Sequence, residues 1–464
     1  MNEIGYVSMN QPSCARGSWR EVFLVAYPLI LSSFSATLMH FVDRLYLSWY
    51  DTRTIAAAMP GGILSFTMVC LFMGTARFTN TFVAQFYGAK DYERCAAATW
   101  QGVYFALLAA VLIPLTRPLG ERILTWGNHS AEIQAMERLY FRILLYGGGL
   151  EVLNAAFSSF YTGRGKTLVV LWVTLIANAA NAVLDYAMVF GRLGFPEMGI
   201  KGAALATVIC SAIPCVIFMV LMLGRENRRL YATTRFVFRK DLFWNLIRYG
   251  VPSGFNLFLD ISSFTLFVIL VGRLGESQLA ASNIALSINT LSFFPILGIS
   301  IATSTVVGQC IGARDIRAAQ RTPYSALRLA LTYAGVFALL FGCAPDAFFR
   351  LFAQRSEGGI AFETVARHGR YLMRLVALYG LFDALNLTFC GALKGAGDTR
   401  FAMWVGLIGS WLFFVPCVYV LIHFFQANLL AVWGCMTIYA ISLGVAYFVR
   451  FRMGQWKSID LIEH

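Results

Sequence analysis

The chain has 464 residues, 58% of them hydrophobic and 13% charged, with a mean hydropathy of +0.65. A soluble domain carries about 25% charged residues, so a water-covered globular fold is excluded and an all-α polytopic membrane protein is predicted. The net charge of +13 falls mostly in short connections between apolar runs, where it marks topology rather than a nucleic-acid face.

The first twenty residues are polar and lack an apolar signal core followed by a small-residue cleavage site. The first apolar run is therefore expected to double as an uncleaved signal. Runs long enough to cross a bilayer, about 20 residues each, fall at 22–49, 55–86, 93–115, 134–162, 168–191 and 199–224. A second set falls at 243–272, 278–310, 322–344, 365–393, 400–424 and 428–449. The runs are continuous rather than alternating, and open strand edges are not tolerated in lipid, so twelve transmembrane helices are expected. Several runs exceed the minimum and predict tilt or extension beyond the membrane. The ten cysteines are scattered, mostly inside apolar runs and without a C-x-x-C pair; they read as small packing residues.

Basic residues orient the spans. Arg16, Arg20, Lys90, Arg94, Arg164 and Lys166 fall on one side, as do the 225–240 connection, Arg314, Arg317, Arg321, Lys394 and Arg400. The tail bases Arg450, Arg452 and Lys457 join them, whereas the opposite loops at 117–138 and 346–370 mix bases with acids. By the positive-inside rule the first side is cytoplasmic, with both termini inside a cell (inner) membrane.

An internal repeat organises the chain. Pro28 pairs with Pro252 and Asp91 with Asp315 at a constant offset of 224 residues, strongest in "TNTFVAQFYGAKD" (79–91) against "TSTVVGQCIGARD" (303–315). Further on, "EVLNAAFSSFYTGRGKT" (151–167) matches "DALNLTFCGALKGAGDT" (383–399) at an offset of 232. The eight-residue change predicts a longer loop between the third and fourth spans of the second half. Six spans per half let both halves enter the membrane in the same direction, which predicts two six-helix bundles related by a pseudo-two-fold axis along the membrane normal. The expected division is 1–224 for the first lobe, 225–242 for a basic cytoplasmic linker and 243–464 for the second lobe.

Acids inside the spans are the candidate functional groups. A charge at the bilayer centre costs about 2.5–3.5 kcal/mol on insertion scales, so such residues face a cavity or a partner. At about 1.5 Å per residue from Val22, Asp43 falls in the outer half of the first span. In "NAANAVLDY", Asn178, Asn181 and Asp185 share one helical stripe and Asp185 reaches a similar depth. Thr207, on the sixth span, also lies in the outer half. Asp43, Asn181, Asp185 and Thr207 form a set of hard oxygens suited to a proton or to a dehydrated Na⁺. The alternative is that both acids snorkel to the outer interface while Asn181 bonds a neighbouring helix. Asn178, His40 and Glu151 form a second line of candidates. In the second half, Asp260 and Asp383 lie near the midplane. Glu151 is the repeat counterpart of Asp383, but Asp260 corresponds to Ala36 and Asp43 to Phe267, an asymmetry that argues against a symmetric pore. Arg44 and Arg77 are intramembrane bases; Arg44 is read as snorkelling outward and Arg77 as sitting in a packed inner half.

"TGRGKT" (162–167) resembles a phosphate-cradling loop, but a P-loop requires glycine where Phe160 stands. With no nucleotide site, uphill work would have to come from an ion gradient. "FVDRLYLSW", "VAQFYGAKD", "NAANAVLDYAMVFG…GIKGAALAT" and "GALKGAGDTR", together with the repeat, resemble the multidrug and toxic compound extrusion (MATE) transporters over nearly the whole chain. The resemblance implies a V-shaped pair of bundles exporting cationic or amphipathic compounds in exchange for H⁺ or Na⁺. It implies a first-lobe cation site at Asp43, Asn181, Asp185 and Thr207, and a second cation or substrate site at Asp260 and Asp383. The chain departs from the family pattern in carrying Arg44 after the first-span acid, where threonine is common. It carries Asp260 where many members have glutamate. The expected protein is a monomeric antiporter, not an enzyme, with membrane lipid and small organic cations as its partners and no cofactor beyond the coupling ion. A lipid-linked precursor flippase of the same superfamily is the alternative, and an ion channel is the alternative of a different class.

Overall fold

A computed structural model describes residues 16–125, 130–343, 345 and 362–462. The first fifteen residues, and most of the second-half loop expected to be longer, lie outside the described residues. Twelve helices are long and apolar enough to cross a membrane. In the first half they are α1 (Trp19–Tyr50), α2 (Arg53–Gly88), α3 (Tyr92–Leu115), α4 (Ala131–Gly163), α5 (Thr167–Val189) and α6 (Ile200–Met222). In the second they are α7 (Lys240–Gly272), α8 (Ser277–Gly312), α9 (Ile316–Cys343), α10 (His368–Ala396), α11 (Thr399–His423) and α12 (Leu429–Met453).

Local chemistry sets the helix ends. Ser18, Asp91, Ser130 and Asn428 each accept a backbone N–H in the first turn of α1, α3, α4 and α12, supplying partners to donors that a helix leaves open. α12 ends at Gly454, whose φ of 75° is a left-handed cap. Two helices widen into π turns, Leu246–Gly250 in α7 and Leu407–Phe414 in α11. Each is followed by a Val-Pro pair, Pro252 and Pro416, where the missing N–H and the bulk of the ring disfavour regular α-helical bonding.

The halves repeat one packing plan. In the first, α1 packs on α5, α4 on α2, α3 and α6, and α5 on α6; in the second, α7 packs on α11, α10 on α8, α9 and α12, and α11 on α12. The halves meet through α1 against α8, α7 against α2, and α2 against α8. The first two contacts are repeat-related and the third lies across the pseudo-axis. Small residues permit these approaches: a Cβ on Gly74 would sit 2.7 Å from the Gly254 Cα, and one on Gly298 would sit 2.9 Å from the Ile30 nitrogen.

Burial shows how the halves diverge. One apolar cluster draws on both halves, taking in the α2–α3 and α8–α9 turns and running on in the first half to Leu124 and Phe141. Toward the other end the core splits into a cluster around Leu47, Ala57 and Ile200 in the first half and one around Phe267, Phe414 and Trp433 in the second. The molecule is thus joined at one end, called here the basic face, and forked at the other. The connection after α6 forms a short helix, Arg225–Tyr231, and then straps onto α3. The Trp100 indole N–H donates to the Thr233 carbonyl at 3.0 Å, and Gln101 Nε2 donates to the Val237 carbonyl at 3.1 Å. α7 begins at Lys240, so the last part of the expected linker is already helical.

Candidate functional site

α1 and α5 bring three of the expected first-half groups together. Asp185 is fully buried and Asn181 is 1% exposed. Neither Asp185 oxygen has a hydrogen-bond partner among the described residues, and neither do the Asn181 amide atoms or Asp43 Oδ1. The Asp43 and Asp185 carboxyls face one another closely enough to interact directly. His40 Nδ1 lies 3.9 Å from Asp43 Oδ2, one turn back on α1. The spacing of Asn181 and Asp185 aims both at α1, because residues four apart share a helix face. Unpartnered buried polar atoms cost about 1–3 kcal/mol each, so this group of acceptors has the character of a ligand site. The Cys210 thiol of α6 lies within electrostatic reach of Asp185 and Asp43.

The remaining first-half candidates have hydrogen bonds of their own. The Thr207 hydroxyl donates to the Ala203 carbonyl of its own helix at 3.0 Å, the local bond that a helical threonine makes readily. Asn178 Nδ2 donates to Ser35 Oγ at 2.8 Å and ties α5 to α1. Glu151 accepts from the Ser211 hydroxyl of α6. It also lies within electrostatic reach of His40 and of Arg77. Arg77 is a correction to the packed inner position expected for it: the side chain is solvent-accessible although protein surrounds it, and both hold for a residue lining a crevice. The His40 side chain, 64% exposed, has the same character. Arg44 is solvent-accessible and forms no ion pair with Asp43 among the described residues.

In the second half, Asp260 on α7 and Asp383 on α10 are within electrostatic reach of each other, and Asp260 is within reach of Lys394. Asp260 Oδ1 is buried without a partner, as is the Tyr379 hydroxyl one turn before Asp383. Asp383 Oδ1 accepts from Asn386 Nδ2 at 3.3 Å. Gly406 lets α11 approach this point, since a Cβ there would be 2.5 Å from Asn256 Nδ2 and 4.0 Å from Asp260 Oδ1. Lys394 corrects the expectation from sequence, which assigns it to the bases of a connecting turn. It belongs to the last turn of α10, half-buried and near Asp260. Its position inside the "GALKGAGDT" repeat, on the same span as Asp383, is the signal that could have found it. Among the described residues no cluster of three or more His, Cys, Asp and Glu forms a metal centre.

A family model described as MatE matches residues 28–187 and again residues 252–420. A probable multidrug resistance protein NorM from Thermotoga maritima is 24% identical over 447 residues, 95% of this chain and 93% of the relative. One of the same name from Burkholderia pseudomallei is 29% identical over 393 residues, covering 83% and 82%. Among solved structures, an outward-facing multidrug resistance MATE family transporter superposes with a TM-score of 0.84 at 20% identity, over 96% of this chain and 98% of that one. A MOP superfamily transporter from Pyrococcus furiosus gives 0.83 at 20% identity over the same shares. One family model matched twice, on two halves whose helices pair in the same order, shows that this chain belongs to the MatE family of membrane transporters.

Proposed function

We propose that this chain is a multidrug efflux antiporter that exports small cationic or amphipathic compounds in exchange for H⁺ or Na⁺. The observation carrying the reading is the Asp43–Asp185–Asn181 group, in which Asp43 Oδ1, both Asp185 oxygens and the Asn181 amide atoms have no hydrogen-bond partner among the described residues. Two facing carboxylates repel strongly where water is scarce. A proton or Na⁺ taken up from the forked end removes that repulsion and lets α1 and α5 close on each other. Oxygen-only donors suit Na⁺ as well as H⁺, so either ion fits the group. Asp260 and Asp383, with Lys394 beside them, offer a second charge site facing a cation in the cleft. The relatives' names support the drug-export part of the reading.

In this proposal the basic face is cytoplasmic, both termini lie inside, and the protein works as a monomer in a cell (inner) membrane. Acids taking up an ion on one side and releasing it on the other would couple the gradient to rocking of the two bundles. The test is efflux of a fluorescent organic cation from proteoliposomes with pH and Na⁺ gradients imposed separately. Export driven by one gradient is expected. Export that responds to neither, or a current that simply dissipates the gradient, removes the antiporter reading.

A further inference from the structure

The basic face holds a feature that ion coupling does not use. The α2–α3 turn and the α8–α9 turn meet across the pseudo-axis and border an open cleft of about 460 Å³, within the size range of small-ligand clefts. Lys90 from one turn and Arg314 from the other line it, together with Arg16 from the segment before α1. Lys90 and Arg314 are repeat counterparts, 224 residues apart, so the fold brings one base from each half to the same place. Both take the left-handed backbone, with φ of 61° and 58°, a conformation that costs a side chain energy and favours glycine.

No acid lines this cavity, although three stand near it. Asp91 and Asp315, which follow them directly, accept the N–H groups of Arg94 and Ala318 as caps of α3 and α9. Glu21, on the wall of the adjoining cavity, accepts the Gly17 N–H at 2.6 Å. None of Arg16, Lys90 and Arg314 forms an ion pair among the described residues. The cavity wall itself carries three bases and no acid, and Glu21 on the adjoining wall lies within electrostatic reach of Arg16 alone of the three, so Lys90 and Arg314 leave a positive mouth at the point where the halves touch. We propose that this mouth binds a phosphate group, free or as a phospholipid headgroup, held by Lys90 and Arg314 together, and that its binding favours the joined basic face. Like charges from the two turns oppose that junction, and an anion between them attracts both and offsets their repulsion.

Glycine substitution tests this without straining the fold, because it removes the charge while suiting the left-handed backbone. Thermal unfolding of the purified protein is followed in detergent during titration with potassium phosphate, against potassium chloride at equal ionic strength. A second arm uses nanodiscs of phosphatidylcholine with and without phosphatidylglycerol. The parent is expected to gain stability from phosphate, from phosphatidylglycerol or from both. Gain in detergent assigns the free anion, and gain in nanodiscs alone assigns the headgroup. Lys90→Gly with Arg314→Gly should raise the half-saturating phosphate concentration, or the phosphatidylglycerol fraction, by at least about tenfold, because two charged hydrogen bonds are lost. Lys90→Arg with Arg314→Lys should keep the response, as should Arg229→Gln, an exposed base outside the cavity. A parent indifferent to both additives, or a glycine variant as responsive as the parent, overturns the proposal.

Discussion

Replacing Asp43 or Asp185 by asparagine leaves the shape of the α1–α5 contact almost unchanged but removes the charge that a coupling ion would meet. Either change is expected to lower gradient-driven efflux at least about tenfold, a loss of about 1.4 kcal/mol or more in coupling. The melting temperature should hold or rise, because an acid without a partner has been removed. A variant that keeps full exchange but melts earlier would show a packing role instead. Glu121, outside the membrane spans, gives a separate pH test. Hydrogen bonds from Arg142 and then Arg117 hold its carboxyl down at about 2, below its ordinary 4.5. A carboxyl depressed on folding stabilises above its unfolded value and loses that contribution as pH falls from about 4.5 to about 2. Glu121→Gln should therefore melt below the parent at pH 7 and converge with it as pH approaches 2. The pairing of Asn181 with Asp185 is legible in sequence because i and i+4 spacing is a property of one helix. The places of Lys394 and Arg77 are not, because whether a base near a span end enters a turn or a crevice depends on the neighbouring helices.

The strongest repeat segment, "TNTFVAQFYGAKD" against "TSTVVGQCIGARD", is the latch between the halves. Gln85 Nε2 donates to the Gly395 carbonyl at 3.0 Å, and Gln309 Nε2 donates to the Gly163 carbonyl at 2.8 Å. Donor and acceptor are repeat counterparts in both bonds. Asn80 Nδ2 adds a bond to Thr305 Oγ1 at 3.1 Å. A Cβ on Gly88 would overlap the Gln309 carbonyl, and one on Gly312 would overlap that of Gln85. Gly88→Ala or Gly312→Ala should thus force α2 and α8 apart and favour opening of the basic face. Spin labels at residues 93 and 317, which lie at the starts of α3 and α9 just after the two turns, should report a longer distance in either variant, and transport should fall severalfold. Gln85→Ala should act the same way more weakly, at about 1 kcal/mol for one hydrogen bond. The sequence marks this segment as repeated but assigns it no partner, since a repeat does not disclose which copies touch.

At the scale of the molecule, twelve spans in two halves are legible in the sequence by itself, and the reason is solvent. A bilayer requires about 20 apolar residues per crossing and internal pairing of every backbone group, so hydropathy alone locates the helices. The repeat likewise survives in one dimension, because matched residues keep a constant offset. The fork at one end and the junction at the other are decided only by packing. Gly74, Gly254 and Gly298 allow close approach between the halves, while the apolar core divides in two toward the forked end. The same holds for the acids. Their presence within the spans is a fact of sequence, but that Asp185 meets Asp43 while Thr207 turns back to its own helix follows from the α1–α5–α6 packing. Hydrophobic length acts locally along the chain, whereas partnership between buried polar groups depends on which helices come within a few ångströms of each other.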